Sequence, residues 1–451
     1  MRRREFIART SAALAGSVTL SLLRAAPVEK RRPRVLLRGS WQSVNLGDIA
    51  HTPGALQLFA RYWPDADVTL WPGSLDFGAR EMLVAAFPRL EIAVGGVDRT
   101  GRPTTEALAR AWASSDLFVH GSGAGFGARR HLEAWHAATR RPYGLFGITM
   151  DPVSGIGEGR LSAGDTLAGL KVRISQVSAP SLNPQEHATF DGAAFIFCRD
   201  RLSLGYLARE GVKARVLAFG PDSTFGLQIR NEPVATRFLQ AHGLEEGKFI
   251  CVVPRMRYTP YSLVYKIPRT ATDDIRDAVN GPSTKPDHAK LRDMMVRWVR
   301  ATGLKVLACP EMTHEVQLAK EELVDPLPDE VKDRVVWRDS YWLPDEAASV
   351  YARACAVVSM ECHSPIIALA QGTPALYVRQ PTDSAKGQMY EEIGLGDWAL
   401  EIEENSGESL WAKLSSIHYD PVAARERVKR AMTGVAKQQR FMVETARDSL
   451  T

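Results

Sequence analysis

What most constrains this chain is a rhythm that occurs twice. From residue 34, short apolar runs alternate with amphipathic stretches: "RVLLRG" (34–39), "DVTLWP" (67–72), "DLFVHG" (116–121), "YGLFGI" (143–148), "AAFIFC" (193–198) and "RVLAFG" (215–220) read as strands. Helix-like segments such as "TTEALARAWASS" (104–115) fall between them. A second series follows with "KFICVVP" (248–254), "KVLACP" (305–310), "RVVWR" (334–338), "CAVVSM" (355–360) and "PALYV" (374–378). Strands alternating with helices build parallel sheets covered on both faces. A chain of 451 residues also exceeds one ordinary core. The expected architecture is therefore α/β: two Rossmann-like, doubly wound domains facing a cleft, over 31–235 and 236–451. The seam is placed near "RNEPVATRFLQAHGLEEGK" (230–248), and the charged stretch 421–449 reads as a helix packing back on the first domain. Two segments rich in Pro, Asn, Asp and Ser, 178–192 and 267–288, read as long loops.

Residues 1–30 read as a targeting segment. Arg2, Arg3 and Arg4 precede Phe6-Ile7 and a mildly apolar stretch to Leu23, the pattern of a twin-arginine export signal. The stretch is too short for a comfortable membrane span, so the expectation is export to the periplasm or cell envelope without a stable span. A basic cytoplasmic tail is the alternative. The first 26 residues hold five Arg and one Glu, so they carry most of the formal +5 and leave about +1 for the rest. A nearly neutral body lacks the cationic excess of a nucleic-acid binder. The five cysteines form no Cys-x-x-Cys or zinc pattern and read as buried free thiols. No His-x-x-x-His helix occurs, and "DAD" (65–67) reads as a turn, so no metal or cofactor is expected.

In open α/β sheets the ligand site lies at the carboxyl ends of strands. The first strand runs into "SVNLGD", where Asn45, Gly47 and Asp48 precede a helix whose free N–H groups suit an anion; Asn and Asp there also serve as caps. Another strand ends in "VHGSGAGFGARR", whose glycines let a ligand reach the backbone beside His120, Gly121, Ser122 and Gly123. "VVPRMRY" places Arg255 and Arg257 just after a strand, where alternation would point both at one carboxylate or phosphate. "CPEMTHE" adds His314. In "SMECHSPIIALAQG", Ser364 reads as the helix N-cap and Pro365 as the first helical residue, leaving Glu361 and His363 in the turn as candidate acid and base.

Taken together, "SVNLGD", the Gly-rich turn after "DLFVHG", "CRDRLS", "GPDSTF", "YWLPDEAASVYARACAVVS", "CHSPIIALAQGTPALYV" and the following Lys386-Gly387 resemble the polysaccharide pyruvyl transferase family over about 34–400. The resemblance implies a GT-B-like fold and transfer of the enolpyruvyl group of phosphoenolpyruvate onto two sugar hydroxyls as a ketal. Carbohydrate is then the partner. It makes His363 an acid or base, Arg255 or Arg257 an anion-binding arginine, and Asn45 and Asp48 part of the N-terminal loop. Where the family has an arginine before x-His, this chain has Glu361. That reversal opposes a donor carrying about three negative charges, and phosphoenolpyruvate is a cytoplasmic metabolite. Two other expectations therefore stand beside transfer: an exported hydrolase that removes pyruvate ketals, and an inactive carbohydrate-binding envelope protein.

Overall fold

The computed structural model describes residues 31–154, 156–157, 160–161 and 164–451; the export-type segment at 1–30 lies outside the described residues. Two parallel sheets organise the fold. The first contains β1 (Arg34–Gly39), β2 (Asp67–Pro72), β3 (Glu91–Ile92), β4 (Leu117–His120), β5 (Gly123–Ala124), β6 (Tyr143–Thr149), β7 (Phe195–Cys198) and β8 (Leu217–Phe219). Their spatial order is β8-β7-β6-β4-β1-β2-β3, with the short β5 alongside β6. The second contains β9 (Phe249–Val253), β10 (Lys305–Ala308), β11 (Val335–Trp337), β12 (Ala356–Ser359), β13 (Ala375–Arg379) and β14 (Ala399–Glu401), in the order β11-β10-β9-β12-β13-β14.

Both orders run outward from the first strand in one direction and then restart on its other side, which is the doubly wound Rossmann arrangement. The strands are continuous apolar runs because helices cover both faces. Val35, Leu36 and Leu37 of β1 and Ile250, Cys251 and Val252 of β9 are all fully buried or nearly so. In register, Leu37 lies beside Leu70 on one flank and Val119 on the other. Burying each such aliphatic side chain contributes roughly 1.5–3 kcal/mol. All five cysteines are free thiols, and Cys355 alone among them is not fully buried.

The order reverses between β1 and β4 and between β9 and β12, and at those two points the carboxyl ends open crevices. Helix α1 (Leu46–Tyr62) leaves the first crevice, and α3 (His363–Ala370) leaves the second. The halves are stitched at this level by backbone bonds: the Leu46 N–H donates to the Glu311 carbonyl at 2.9 Å, and the Thr313 N–H to the Val44 carbonyl at 3.0 Å. The C-terminal helix α4 (Pro421–Asp448) returns to the first sheet, where Phe441 meets Phe197 edge to face at 5.7 Å.

Two loop expectations require correction. Residues 271–302, including most of the segment read as a loop, form the helix α2 (Ala271–Thr302) despite Pro282 and Pro286 inside it. Thr270 and Asp273 form a capping box at its start. Tertiary bonds then hold it through the prolines. Asn280 accepts from the Tyr258 N–H at 2.9 Å and donates to the Tyr258 carbonyl at 2.8 Å, while Asp287 takes a two-pronged bond from Arg257. The other segment is a loop only to residue 183; Asn183 caps a helix over Pro184–Asp191. Among the described residues no helix is long and apolar enough to cross a membrane.

Because Asn280 ties α2 to the chain end of β9 with two bonds, Asn280→Ala is expected to destabilise the protein by about 1–3 kcal/mol. The loss should read as a lower urea midpoint with an unchanged slope; an unchanged midpoint would show that the helix is held without it.

Candidate active site

A cavity of about 310 Å³ lies where the two crevices face each other. Asn45, Asp48 and His51 of the α1 segment, His120 at the end of β4, and Arg199 after β7 line it from the first sheet; Arg255, Glu361, His363 and Lys386 line it from the second. The "NLGD" turn explains itself residue by residue. Asn45 caps α1, its Oδ1 accepting the Gly47 and Asp48 N–H groups at 2.7 and 3.1 Å. Gly47 leaves space, because a Cβ there would lie 2.3 Å from Nδ1 of His363. Asp48 then faces the cavity and approaches Nδ1 of His51 at 4.0 Å.

Across this seam two imidazoles meet. His51 Nε2 lies 3.2 Å from His363 Nε2, both rings buried, and 3.3 Å from Asp222 Oδ2. Two facing ring nitrogens at that separation can hold one proton between them, since one must donate and the other accept. Burial pushes His363 down to about 3, and the neighbouring His51 adds to the shift. Burial alone would raise Asp222, but His51 and Arg199 hold its carboxyl well below the ordinary range. Arg199 donates to Asp222 and to Thr149 Oγ1. On the far side Nδ1 of His363 faces Glu311 Oε1 at 3.4 Å. His51, Asp222 and His363 bring ligating atoms within 4.8 Å of one another, a donor set that suits zinc. The same Asp222 oxygen, however, already accepts from the Arg199 guanidinium, whose fixed positive charge opposes a cation there.

The second-sheet wall carries alternating charge. Arg255 Nε lies 2.9 Å from Glu361 Oε1, and its NH1 bonds Asp383, which also approaches Lys386 Nζ at 3.6 Å. Burial, reinforced by nearby Glu311, raises the Glu361 carboxyl although Arg255 pulls against it. Arg255, just past the end of β9, is thus partly neutralised by two carboxylates.

The packing corrects several expectations drawn from the sequence. Arg257 does not share a face with Arg255: β9 ends at Val253, so strand alternation no longer applies, and Arg257 turns to Asp287 and Glu403. Ser364 is not the N-cap. Cys362 holds that position and His363 is the first helical residue. The Ser364 N–H and hydroxyl both donate to Glu311 Oε2, at 2.6 and 2.7 Å, so a carboxylate remote in sequence caps the helix. Ser122 is buried on the Phe146 carbonyl and Ser223, and Gly121 packs on the Arg38 carbonyl; neither lines the cavity. His314 also stays out of the lining, its ring pushed down to about 4 by burial and by Arg255. Asn45, Asp48, His120, Gly123, Arg255, Glu361, His363 and Lys386 all line the one cavity.

His51, Arg199, Asp222 and Asp383 were missed. His51 sits mid-helix, five residues past Leu46, with no motif of its own. Arg199 and Asp222 lie in "CRDRLS" and "GPDSTF", segments quoted only for the resemblance; their pairing over 23 positions is the missing signal.

A family model for polysaccharide pyruvyl transferase matches residues 45–380. The chain belongs to this family. Among curated protein sequences none matches it. Among solved structures, the fold is similar to that of UDP-GlcNAc 2-epimerase from Neisseria meningitidis, solved with UDP-GlcNAc bound (TM-score 0.53, 8% identity, 92% of this chain and 100% of that one). A ugt transferase from Siraitia grosvenorii, solved with UDP, gives 0.52 at 10% identity, covering 93% of this chain and 100% of that one. Anabaena HepE, solved with UDP and glucose, gives 0.50 at 12%, covering 92% and 98%. At such identities the likeness concerns the fold, and the fold is GT-B: two Rossmann-like domains across a cleft.

Two expectations follow from the geometry. Gly47→Ala should cost about 1–3 kcal/mol by driving a methyl into the His363 ring, and the cost should shrink when His363→Ala is combined with it; equal costs in both backgrounds would contradict the contact. Acid stability should also depend on His120, which burial holds down to about 3 against an ordinary 6.5. The unfolded chain takes up a proton below that ordinary value while the folded ring refuses it. The stabilisation is therefore complete above 6.5 and fades as pH falls toward 3, by up to about 1.4 kcal/mol per unit. His120→Asn should flatten the dependence of Tm on pH between about 6 and 4; the same slope as wild type would refute it.

Proposed function

We propose that the protein transfers a pyruvyl group, as a ketal, from phosphoenolpyruvate onto two hydroxyls of one sugar unit of a polysaccharide. Membership of the family supports the reaction class. The observation that carries it is the convergence of Arg255, Lys386, Glu361 and the His51–His363 pair on one cavity. Arg255 and Lys386 are the groups that hold the donor's carboxylate and phosphate, Arg by its planar fork and Lys as a point charge.

The reaction forms two C–O bonds at C2 of the donor and breaks the C2–O bond to phosphate. The two hydroxyl protons are replaced in the products by one proton on C3, which becomes a methyl, and one on the departing phosphate. Glu361, paired with Arg255 in the free site, takes up a proton when the donor anion draws Arg255 away and delivers it to C3, a transfer that burial of its carboxyl favours. The single proton shared by His51 and His363 serves the phosphate oxygen, with Asp222 and Arg199 fixing the orientation of His51. Because Glu361 and Asp383 offset Arg255, the cavity holds the donor anion weakly.

Phosphate release from phosphoenolpyruvate should require an acceptor polysaccharide. Glu361→Gln should lower kcat by about 10²–10⁴ while lowering KM for phosphoenolpyruvate, since a competing negative charge is removed beside Arg255. No acceptor-dependent phosphate release in any buffer would overturn the reading. Free pyruvate released from a pyruvylated polysaccharide without donor would put ketal hydrolysis in its place.

A further inference from the structure

His120 ends β4 at the cavity wall and is 1% exposed, its ring held between Trp41 at 4.7 Å and Phe126 at 5.3 Å. Its Nδ1 lies 2.9 Å from the Gly121 carbonyl oxygen. A carbonyl only accepts, so the ring proton is on Nδ1. Burial, with Arg38 nearby, pushes this imidazole down to about 3, so it is neutral at physiological pH. Nε2 is then a bare lone pair, and among the described residues no group donates to it. An acceptor buried this deeply without a partner is costly, by about 1–3 kcal/mol, until something that carries a proton fills the space. The other cavity imidazoles differ: His51 and His363 face each other and each also approaches a carboxylate.

The surroundings of His120 have room for a ring-sized, hydroxyl-bearing molecule. Gly123, Ala124 and Gly127 present mainly backbone to the cavity, and a Cβ at Gly125 or Gly127 would meet nothing within 4 Å. Trp41, half-buried and lining the cavity, is fixed by a 2.6 Å bond from its Nε1 to the Ser122 carbonyl. An indole edge beside a backbone-lined opening supplies apolar contact with polar groups within reach, the usual make-up of a small-molecule site. The donor-binding cations Arg255 and Lys386 come from the opposite, second-sheet wall.

We infer that the first-sheet wall is the acceptor-sugar subsite, with His120 Nε2 as the general base for the attacking hydroxyl and Trp41 as the side against which the sugar rests. This rests on the pyruvyl-transfer reading for its chemistry, though not for its binding. In the step, the hydroxyl O–H bond breaks and its proton passes to Nε2. The oxygen's electron pair forms the C–O bond to C2 of the enolpyruvyl group. The C2=C3 pair takes the Glu361 proton, so no oxidant or reductant is needed.

The test uses the full chain, phosphoenolpyruvate, and a panel of galactose-, glucose- and mannose-containing oligosaccharides. His120→Ala should lower acceptor-dependent kcat by about 10²–10⁴, with phosphoenolpyruvate binding unchanged within about twofold. Imidazole added in solution should restore part of the rate, which a merely structural loss would not permit. Trp41→Ala should weaken oligosaccharide binding roughly tenfold, and Trp41→Phe should recover most of it. Equal loss of donor and acceptor binding in His120→Ala, with no rescue by imidazole or by the more conservative His120→Gln, would overturn the assignment. Binding has its own arm: if wild type turns nothing over yet binds an oligosaccharide, and Trp41→Ala and His120→Ala weaken that binding, the subsite stands and the reaction falls. If the variants bind like wild type, or wild type binds none of the panel, the subsite falls.

Discussion

The contact between His51 and His363 is the constraint on which the rest of the site depends. It spans 312 positions in sequence and joins the helix after β1 in one sheet to the helix after β12 in the other. Each ring has a carboxylate partner in its own half and meets the other ring across the seam. His51 needs Asp222, Asp222 needs Arg199, and His363 needs both the gap left at Gly47 and the carboxylate of Glu311. Buried polar groups of this kind are costly when half paired and specific when fully paired. The network therefore fixes how closely the two carboxyl ends approach each other, and with that the size and lining of the cavity.

Charge is distributed unevenly over the resulting space. On the second-sheet wall Arg255 is shared between Glu361 and Asp383, with Lys386 beyond, so cations and carboxylates alternate. The first-sheet wall adds Asp48 and Arg199 to a buried neutral imidazole, an indole and backbone. The negative charge at Glu361 is met by a salt bridge to Arg255, while burial raises its carboxyl against that pull.

Local chemistry and long-range packing also divide the task of setting helix starts. Asn45 caps α1 from within its own turn, an arrangement visible in four consecutive residues. Helix α3 instead takes its cap from Glu311, 53 positions away, and so begins two residues earlier than its own Ser-Pro pair suggests. Helix α2 runs through two prolines because side chains at 280 and 287 fasten it to the segment after β9. Propensity loses in both cases to bonds that only the assembled fold supplies.

By itself, the sequence determined the strands, their parallel pairing under helices, the doubly wound halves, and the strand ends that could carry chemistry, because each is written in periodicity and turn residues a few positions apart. It also placed His363, Glu361, Asp48, His120 and Arg255 at such ends. Only the tertiary structure decided that Arg257 turns away, that Ser364 and Ser122 are buried supports, and that His51, Arg199, Asp222 and Asp383 complete the site. The physical reason is range. Caps and amphipathic faces are set by neighbours along the chain, whereas an ion pair or a shared proton is set by which distant groups the folded backbone brings within about 3 Å.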